Sequence, residues 1–269
     1  MLRALGAIAK DAVFPTRCCG CGRLFRRLGP GKVPAQQSRE VDQGLPATLD
    51  EYLCDACTRS IEAIQSPFCI RCGRPFESPE GVDHTCGKCQ QEPFDFSKAR
   101  SAGVYGHALK ELICQYKYQF RDELAAPLSS LLWQTLRLNW DPEQIDCIIP
   151  VPLHSRRLRE RGFNQAELLI RLWPGLACEQ GSPFDESKLL FRTLARCRYT
   201  PPQTGLDRNL RAANLRHAFK VTDTAAVQDR RVLLVDDVLT SGATANACAR
   251  ALKRAKAASV DVLTLARTV

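Results

Sequence analysis

The chain has 269 residues, a length of one or two domains. Its 45% hydrophobic and 25% charged composition is that of a folded globular protein and excludes chain-wide disorder, collagen and a coiled coil. The formal net charge is +9, and no apolar run reaches the ~20 residues of a membrane span.

The first stretch, residues 1–15, is mildly amphipathic and has neither a long apolar core nor a small-residue cleavage site. The expectation is no signal peptide, no membrane insertion and a cytoplasmic location. Of the 14 cysteines, eight form four Cys-x-x-Cys pairs: Cys18/Cys21, Cys54/Cys57, Cys69/Cys72 and Cys86/Cys89. Two thiolates three apart on a tight turn can grip one metal, and two such pairs complete the tetrahedral site of a structural zinc. Gly20, Gly22, Gly73 and Gly87 punctuate the pairs and let backbone amides turn toward sulfur. The reading is two zinc ions, each pair on a turn between short strands. Sequential pairing groups Cys18, Cys21, Cys54 and Cys57, then Cys69, Cys72, Cys86 and Cys89; a cross-braced pairing is the alternative. A redox Cys-x-x-Cys needs a βαβ context, whereas the neighbours here are Pro, Gly and charge. An iron–sulfur cluster is the weaker metal alternative. Each zinc on four thiolates carries two net negative charges, so two sites bring +9 to about +5. Residues 26–50, rich in Gly and Pro, read as a loop insertion. His84 reads as an exposed loop histidine near Cys86 rather than a ligand. A region this polar buries little core, so metal supplies its stability.

From about residue 97 strand-like and helix-like segments alternate, which implies a parallel α/β sheet. Residues 102–105 read as a strand. Leu109, Leu112, Ile113 and Tyr116 mark one helix. Leu124, Leu128, Leu131, Leu132, Leu136 and Leu138 mark a second. Strand 146–151 ends in Pro150-Val-Pro, and helix 163–172 follows. The end of the chain reads as strand 230–236, helix 243–256 and strand 260–266. Between residues 151 and 220, 13 Lys and Arg stand against 6 Asp and Glu, a basic surplus suited to a phosphate-rich ligand or nucleic acid.

The most informative stretch is Val232-Leu-Leu-Val-Asp-Asp-Val-Leu-Thr-Ser-Gly-Ala-Thr244. An apolar strand meets two acids at its carboxyl end, where open α/β sheets bind ligands. Thr240, Ser241, Gly242, Ala243 and Thr244 then open a helix, whose free amides and dipole make a phosphate cradle. Asp236 and Asp237 suit the hydroxyls of a sugar diol, and phosphate with diol describes a ribose 5-phosphate. A phosphorelay receiver places its acids near the domain start, yet only 32 residues follow Asp237. A Walker A loop needs Gly-Lys-Ser/Thr, absent after this strand. A plain capped helix does not account for two adjacent acids.

This stretch resembles the phosphoribosyl pyrophosphate (PRPP) signature of type I phosphoribosyltransferases. Joined to four Cys-x-x-Cys pairs, it resembles the ComF/ComFC/GntX family over nearly the whole chain. Further marks are Pro150-Val-Pro-Leu153, Arg161-Gly-Phe-Asn-Gln-Ala166, Gln203 with Leu206, and Arg211 with Asn214; Ser241 stands where many relatives carry Thr. The resemblance implies an α/β fold, a type I phosphoribosyltransferase-like parallel sheet with helices on both faces, over residues 96–269, and a small double zinc ribbon over 1–95. It implies that Asp236 and Asp237 hold the ribose hydroxyls, directly or through Mg²⁺, and that residues 240–244 cradle the 5-phosphate. Val151, Pro152 and Leu153 occupy the pyrophosphate-loop position, where two prolines suggest a strained or cis peptide. Arg161 becomes a pyrophosphate contact or else a surface arginine, and Lys117 a weaker candidate. The basic stretch 192–214 fits a mobile hood, on which Arg208, Arg211 and Asn214 either meet phosphates or anchor it. His154 falls on the rim.

Three functions follow. The family association is natural transformation, the uptake and processing of single-stranded DNA with competence proteins, and that is the preferred setting. The chemistry would be transfer of ribose 5-phosphate from PRPP to an acceptor, which equally suits nucleobase metabolism. The third is a PRPP-sensing interaction protein without turnover. No aromatic-interleaved basic stripe for stacking bases is visible.

Overall fold

The computed structural model describes residues 16–25, 45–78, 80–119, 121–198 and 217–269. The elements in chain order begin with a short antiparallel pair, β1 (Thr16–Arg17) and β2 (Leu24–Phe25), then helices α1 (Asp55–Arg59) and α2 (Gly87–Gln91). There follow β3 (Ala99–Val104), α3 (His107–Tyr118), α4 (Ala125–Asn139), β4 (Cys147–Pro150), α5 (Ser155–Arg161), α6 (Gln165–Arg171) and α7 (Trp173–Glu179). The chain closes with β5 (Leu194–Arg196), β6 (Phe219–Val221), β7 (Arg231–Leu239), α8 (Ala243–Arg254) and β8 (Ser259–Arg267).

Four strands form a parallel sheet in the order β3–β8–β7–β4. Side chains alternate between its two faces with period two. On β7, Leu233 and Val235 join one core and Val232 and Leu234 the other. The first core is closed by α3, α4, α6 and α7, the second by α8 and the β5–β6 hairpin. Helices therefore cover both faces, as the alternation implies.

The apolar stripe of α3 is fully buried at Leu109, Leu112, Ile113 and Tyr116, each contributing about 1.5–3 kcal/mol by leaving water. On α4 the stripe holds through Leu136, but Leu138 is exposed and not part of it. Pro127 sits in the first turn of α4, where a missing N–H costs no helical bond. Helices α5 and α7 and the hairpin are additions to the sequence reading. Residues 194–196 and 219–221 pair antiparallel, and the first of these strands falls within the segment 192–214 expected to be a hood. Gln203, Leu206, Arg208, Arg211 and Asn214 lie outside the described residues, as does most of the 26–50 insertion.

Each cysteine tetrad is built the same way. Cys18 N–H donates to the Arg23 carbonyl and Gly22 N–H to the Cys18 carbonyl, both at 2.8 Å. Cys69 with Arg74, and Gly73 with Cys69, repeat these bonds at the same lengths. Gly22 and Gly73 have φ of +73° and +69°, so glycine serves the left-handed turn. The other pair of each tetrad departs from the expected turn between strands. Cys54 and Cys86 are extended N-cap residues, and Cys57 and Cys89 lie within α1 and α2.

The first tetrad is welded to the large core. Cys18, Leu49, Leu53 and Ile61 belong to the same buried cluster as the α3 and α4 stripes. The second tetrad forms its own small cluster, against which Phe76 and Phe94 pack.

Candidate functional site

The two tetrads pair sequentially. Within each, the four sulfurs lie within 4.8 Å of one another. Cys21 and Cys54 Sγ are 3.8 Å apart, and Cys72 and Cys86 Sγ 3.9 Å. Zn–S bonds of ~2.3 Å in a tetrahedron put sulfurs about 3.8 Å apart, so the thiolates fit zinc. Gly20 and Cys54 N–H groups donate to Cys18 Sγ, and Cys72 and Cys86 N–H groups to Cys69 Sγ. Burial opposes ionisation of Cys18 and Cys69, but these amides outweigh it and bring the thiols down to about 7 and about 6. His84 is no ligand: it is exposed, stacked 4.0 Å from Phe76, and bonded through Nδ1 to the Val82 carbonyl oxygen.

At the carboxyl end of the sheet, β7 does not stop before the acids. It continues to Leu239 because β8 runs beside it to Arg267, pairing Asp236 with Thr264 and Val238 with Ala266. On its other side β4 ends at Pro150, opposite Val235. The crevice opens where β4 leaves, one residue before Asp236. Strand alternation sends Asp236 and Asp237 to opposite faces. Asp237 Oδ1 is 2.8 Å from Lys117 Nζ, with both side chains 13% exposed. Asp236 faces Arg196 and the buried Cys248. Burial, reinforced by the neighbouring Asp237 carboxylate, pushes Asp236 up to about 7 against the pull of Lys117. Burial pushes the Arg196 guanidinium down from its usual range, and Arg157 adds to this.

The loop after β7 takes the shape a phosphate needs. Gly242 has φ +80° and N-caps α8. Ser241 Oγ accepts from Ala243 N–H at 3.3 Å, and the first helical bond is Asn246 N–H to the Gly242 carbonyl. The amides of Thr244 and Ala245 precede that bond and point out of the helix start.

Residues 151–153 stay beside the acids. Val151 N–H donates to the Val235 carbonyl at 2.8 Å, and Asn164 Nδ2 to the Val151 carbonyl at 3.1 Å. The expected cis or strained peptide is not found there. The cis bond of the described residues is Ser66–Pro67, and no residue from 150 to 154 has positive φ. Pro150 ends the strand in register, Val151 keeps its ladder bond to Val235, and His154 is extended. His154 N-caps α5, accepting at Nδ1 from Arg156 N–H. Arg161 is half-buried: it donates to Gln165 Oε1 at 3.0 Å and lies 4.9 Å over the ring of the exposed Tyr118.

The fold thus brings Asp236, Asp237 and residues 240–244 to the end of β7, with Val151 bonded alongside and leading into Pro152 and Leu153, and with Lys117 against Asp237; Arg161 contacts Gln165 and Tyr118 instead. Sequence reasoning missed Arg196 and Phe94. The first lay in a basic stretch with no local pattern. The second carries no motif, yet its ring stands 2.9 Å from where a Gly242 Cβ would be.

This strand–acid–acid–loop–helix unit on a parallel sheet, with two four-thiolate clusters, defines a phosphoribosyltransferase-type domain joined to a double zinc ribbon. The chain belongs to the ComF/ComFC/GntX family. Residues 44–90 match the family described as double zinc ribbon domain, and residues 193–268 the phosphoribosyl transferase domain. The chain is 35% identical to the DNA utilization protein YhgH of Salmonella typhimurium, over 84% of this chain and 95% of the relative. It is 32% identical to competence protein F of Haemophilus influenzae, over 80% and 90% of the two chains. With the competence protein ComFC of Bacillus subtilis the identity is 26%, over 81% and 85%. No helix among the described residues is long and apolar enough to cross a membrane.

Proposed function

We propose that the chain binds PRPP at the carboxyl end of β7 and serves, in the cytoplasm, the handling of single-stranded DNA in natural transformation. The observation that carries PRPP binding is the junction of Asp236 and Asp237 with the α8 N-terminus and its Gly242 cradle. Free amides at residues 240–244 receive the 5-phosphate. Asp236 and Asp237, one on each side of the strand end, each accept one ribose hydroxyl. Val151, Pro152 and Leu153 border the pyrophosphate, with Arg161 as its cationic contact. Each carboxylate is a hard oxygen donor of the kind Mg²⁺ takes, so either acid would hold the ion from its own face of β7. When bound there, Mg²⁺ supplies charge neutralisation at the pyrophosphate.

In the transfer reaction, the bond from the anomeric carbon to pyrophosphate oxygen breaks and a bond to an acceptor nucleophile forms. The acceptor's proton is lost and pyrophosphate leaves with its electron pair. The protein's part is to position and to offset charge, which Lys117 and Arg196 can do beside the acids, with Arg161 as a further cation. The DNA setting comes from the names of the relatives and from the basic surplus after residue 151. The zinc ribbon, residues 1–95, and the phosphoribosyltransferase unit, 96–269, divide the structural and ligand-binding roles. Incubation with PRPP, Mg²⁺ and candidate acceptors tests turnover: released pyrophosphate supports the transferase, and tight PRPP binding without release leaves a sensor.

A further inference from the structure

The second zinc ribbon reaches the 240–244 loop through the segment 94–96. On one side, the Arg71 guanidinium, between ligands Cys69 and Cys72, donates from Nη2 to the carbonyls of Phe94 (2.9 Å) and Phe96 (3.1 Å). Phe94 packs against the Cys69–Cys72–Cys86–Cys89 cluster and stacks 4.5 Å from the buried Phe96. On the other side, the Phe94 ring covers Gly242, leaving no room for a Cβ there. Asp95 N–H donates to Asn246 Oδ1 at 2.6 Å, and the Asp95 carboxylate pairs with Arg250 at 2.9 Å, both on α8. A second tether runs from the Cys72 carbonyl to the Arg267 guanidinium at the end of β8, and Thr268 N–H donates to the Leu239 carbonyl, one residue before the loop. Phe94 and Gly242 also line a cavity of about 450 Å³ between ribbon and loop, together with Arg74, Lys88, Thr240 and Ser241.

We infer that Phe94 and Asp95 are positioning residues through which the second zinc ribbon sets the shape of the phosphate loop, so that zinc at this site and PRPP at the loop are bound cooperatively. This rests on the proposed PRPP site. Coupling free energies between sites are reciprocal, so whatever factor zinc lends to PRPP, PRPP lends to zinc.

The test uses the full chain with two zinc ions and the variants Phe94→Ala and Phe94→Leu, all four ligand cysteines kept. Metal content of two per chain certifies that a variant has folded. For Phe94→Ala, PRPP affinity is expected to fall roughly tenfold, within the 5–150-fold span of ordinary couplings, with Phe94→Leu in between. In the parent protein PRPP is expected to slow chelator-driven zinc loss and hydrogen exchange in segment 69–89, with no effect on segment 18–57, and Phe94→Ala is expected to abolish that protection. Two-zinc Phe94→Ala with unchanged PRPP affinity and unchanged protection overturns the coupling. Should the parent protein bind no PRPP, exchange in the first turns of α8 without ligand decides: faster exchange in Phe94→Ala upholds the ribbon's hold on the loop, and equal exchange overturns it.

Discussion

Lys117 Nζ stands 2.8 Å from Asp237 Oδ1, bringing the last turn of α3 against the carboxyl end of β7. With both side chains largely shielded, solvent screens the pair little. The ammonium holds one of the two acids while the other, Asp236, stays on the opposite face. This contact gives the crevice its charge balance before any ligand arrives.

Lys117→Met is expected to leave a shielded carboxylate without its cation and to lower unfolding stability by about 2 kcal/mol. Asp237→Asn in the same chain is expected to recover part of that loss. Urea melts of the single and double variants give the coupling, provided the m-value is unchanged.

A pH dependence is expected from Asp146. The Arg231 guanidinium beside it, at 2.9 and 3.0 Å, holds its carboxyl down at about 2. A depressed folded pKa stabilises above the unfolded value near 3.8 and loses that contribution as pH falls toward 2. Because the pair is partly exposed the effect is modest. Asp146→Asn is expected to flatten the acid limb of the urea midpoint between pH 4 and 2. An unchanged limb would mean other carboxylates set it.

Glycine substitutions separate strain from contact. Gly22→Ala meets nothing within 4 Å and is expected to cost only the left-handed penalty, about 1 kcal/mol. Gly73→Ala would place Cβ 2.6 Å from the Ala99 carbonyl oxygen, a backbone atom, and is expected to cost at least about 1 kcal/mol more. Denaturant midpoints of the two variants make the comparison.

Because Cys18, Leu49, Leu53 and Ile61 share a core with α3 and α4, the first ribbon is expected to unfold with the sheet. Trp133, Trp140 and Trp173 report the sheet side. Their fluorescence transition is expected to coincide with release of first-site zinc. Two separated transitions would show the ribbon folding on its own.

Much of this was legible from periodicity and spacing. The stripe on α3 announced a helix because every third or fourth residue is apolar, and four Cys-x-x-Cys pairs announced two metals. The strand through Asp236 and Asp237 was cut short in the sequence because two acids look like an end. Only β8 alongside, whose partners stand 28 residues later in the chain, keeps the ladder going. Sequence order likewise made the acids look convergent, whereas strand alternation parts them. Lys117 had only its place after a helix stripe to recommend it, and Arg196 and Phe94 had no motif. Their positions come from tertiary packing, which no local pattern encodes.

The decisive measurement for a PRPP site at the end of β7 is a titration of the full chain with PRPP, with and without Mg²⁺, beside an Asp236→Asn, Asp237→Asn double variant. Saturable binding is expected in the parent protein, stabilising it by about 2.7 kcal/mol at a hundred times the dissociation constant. The double variant is expected to lose that stabilisation. No stabilisation of the parent, or equal stabilisation of both, would contradict a PRPP site at the end of β7.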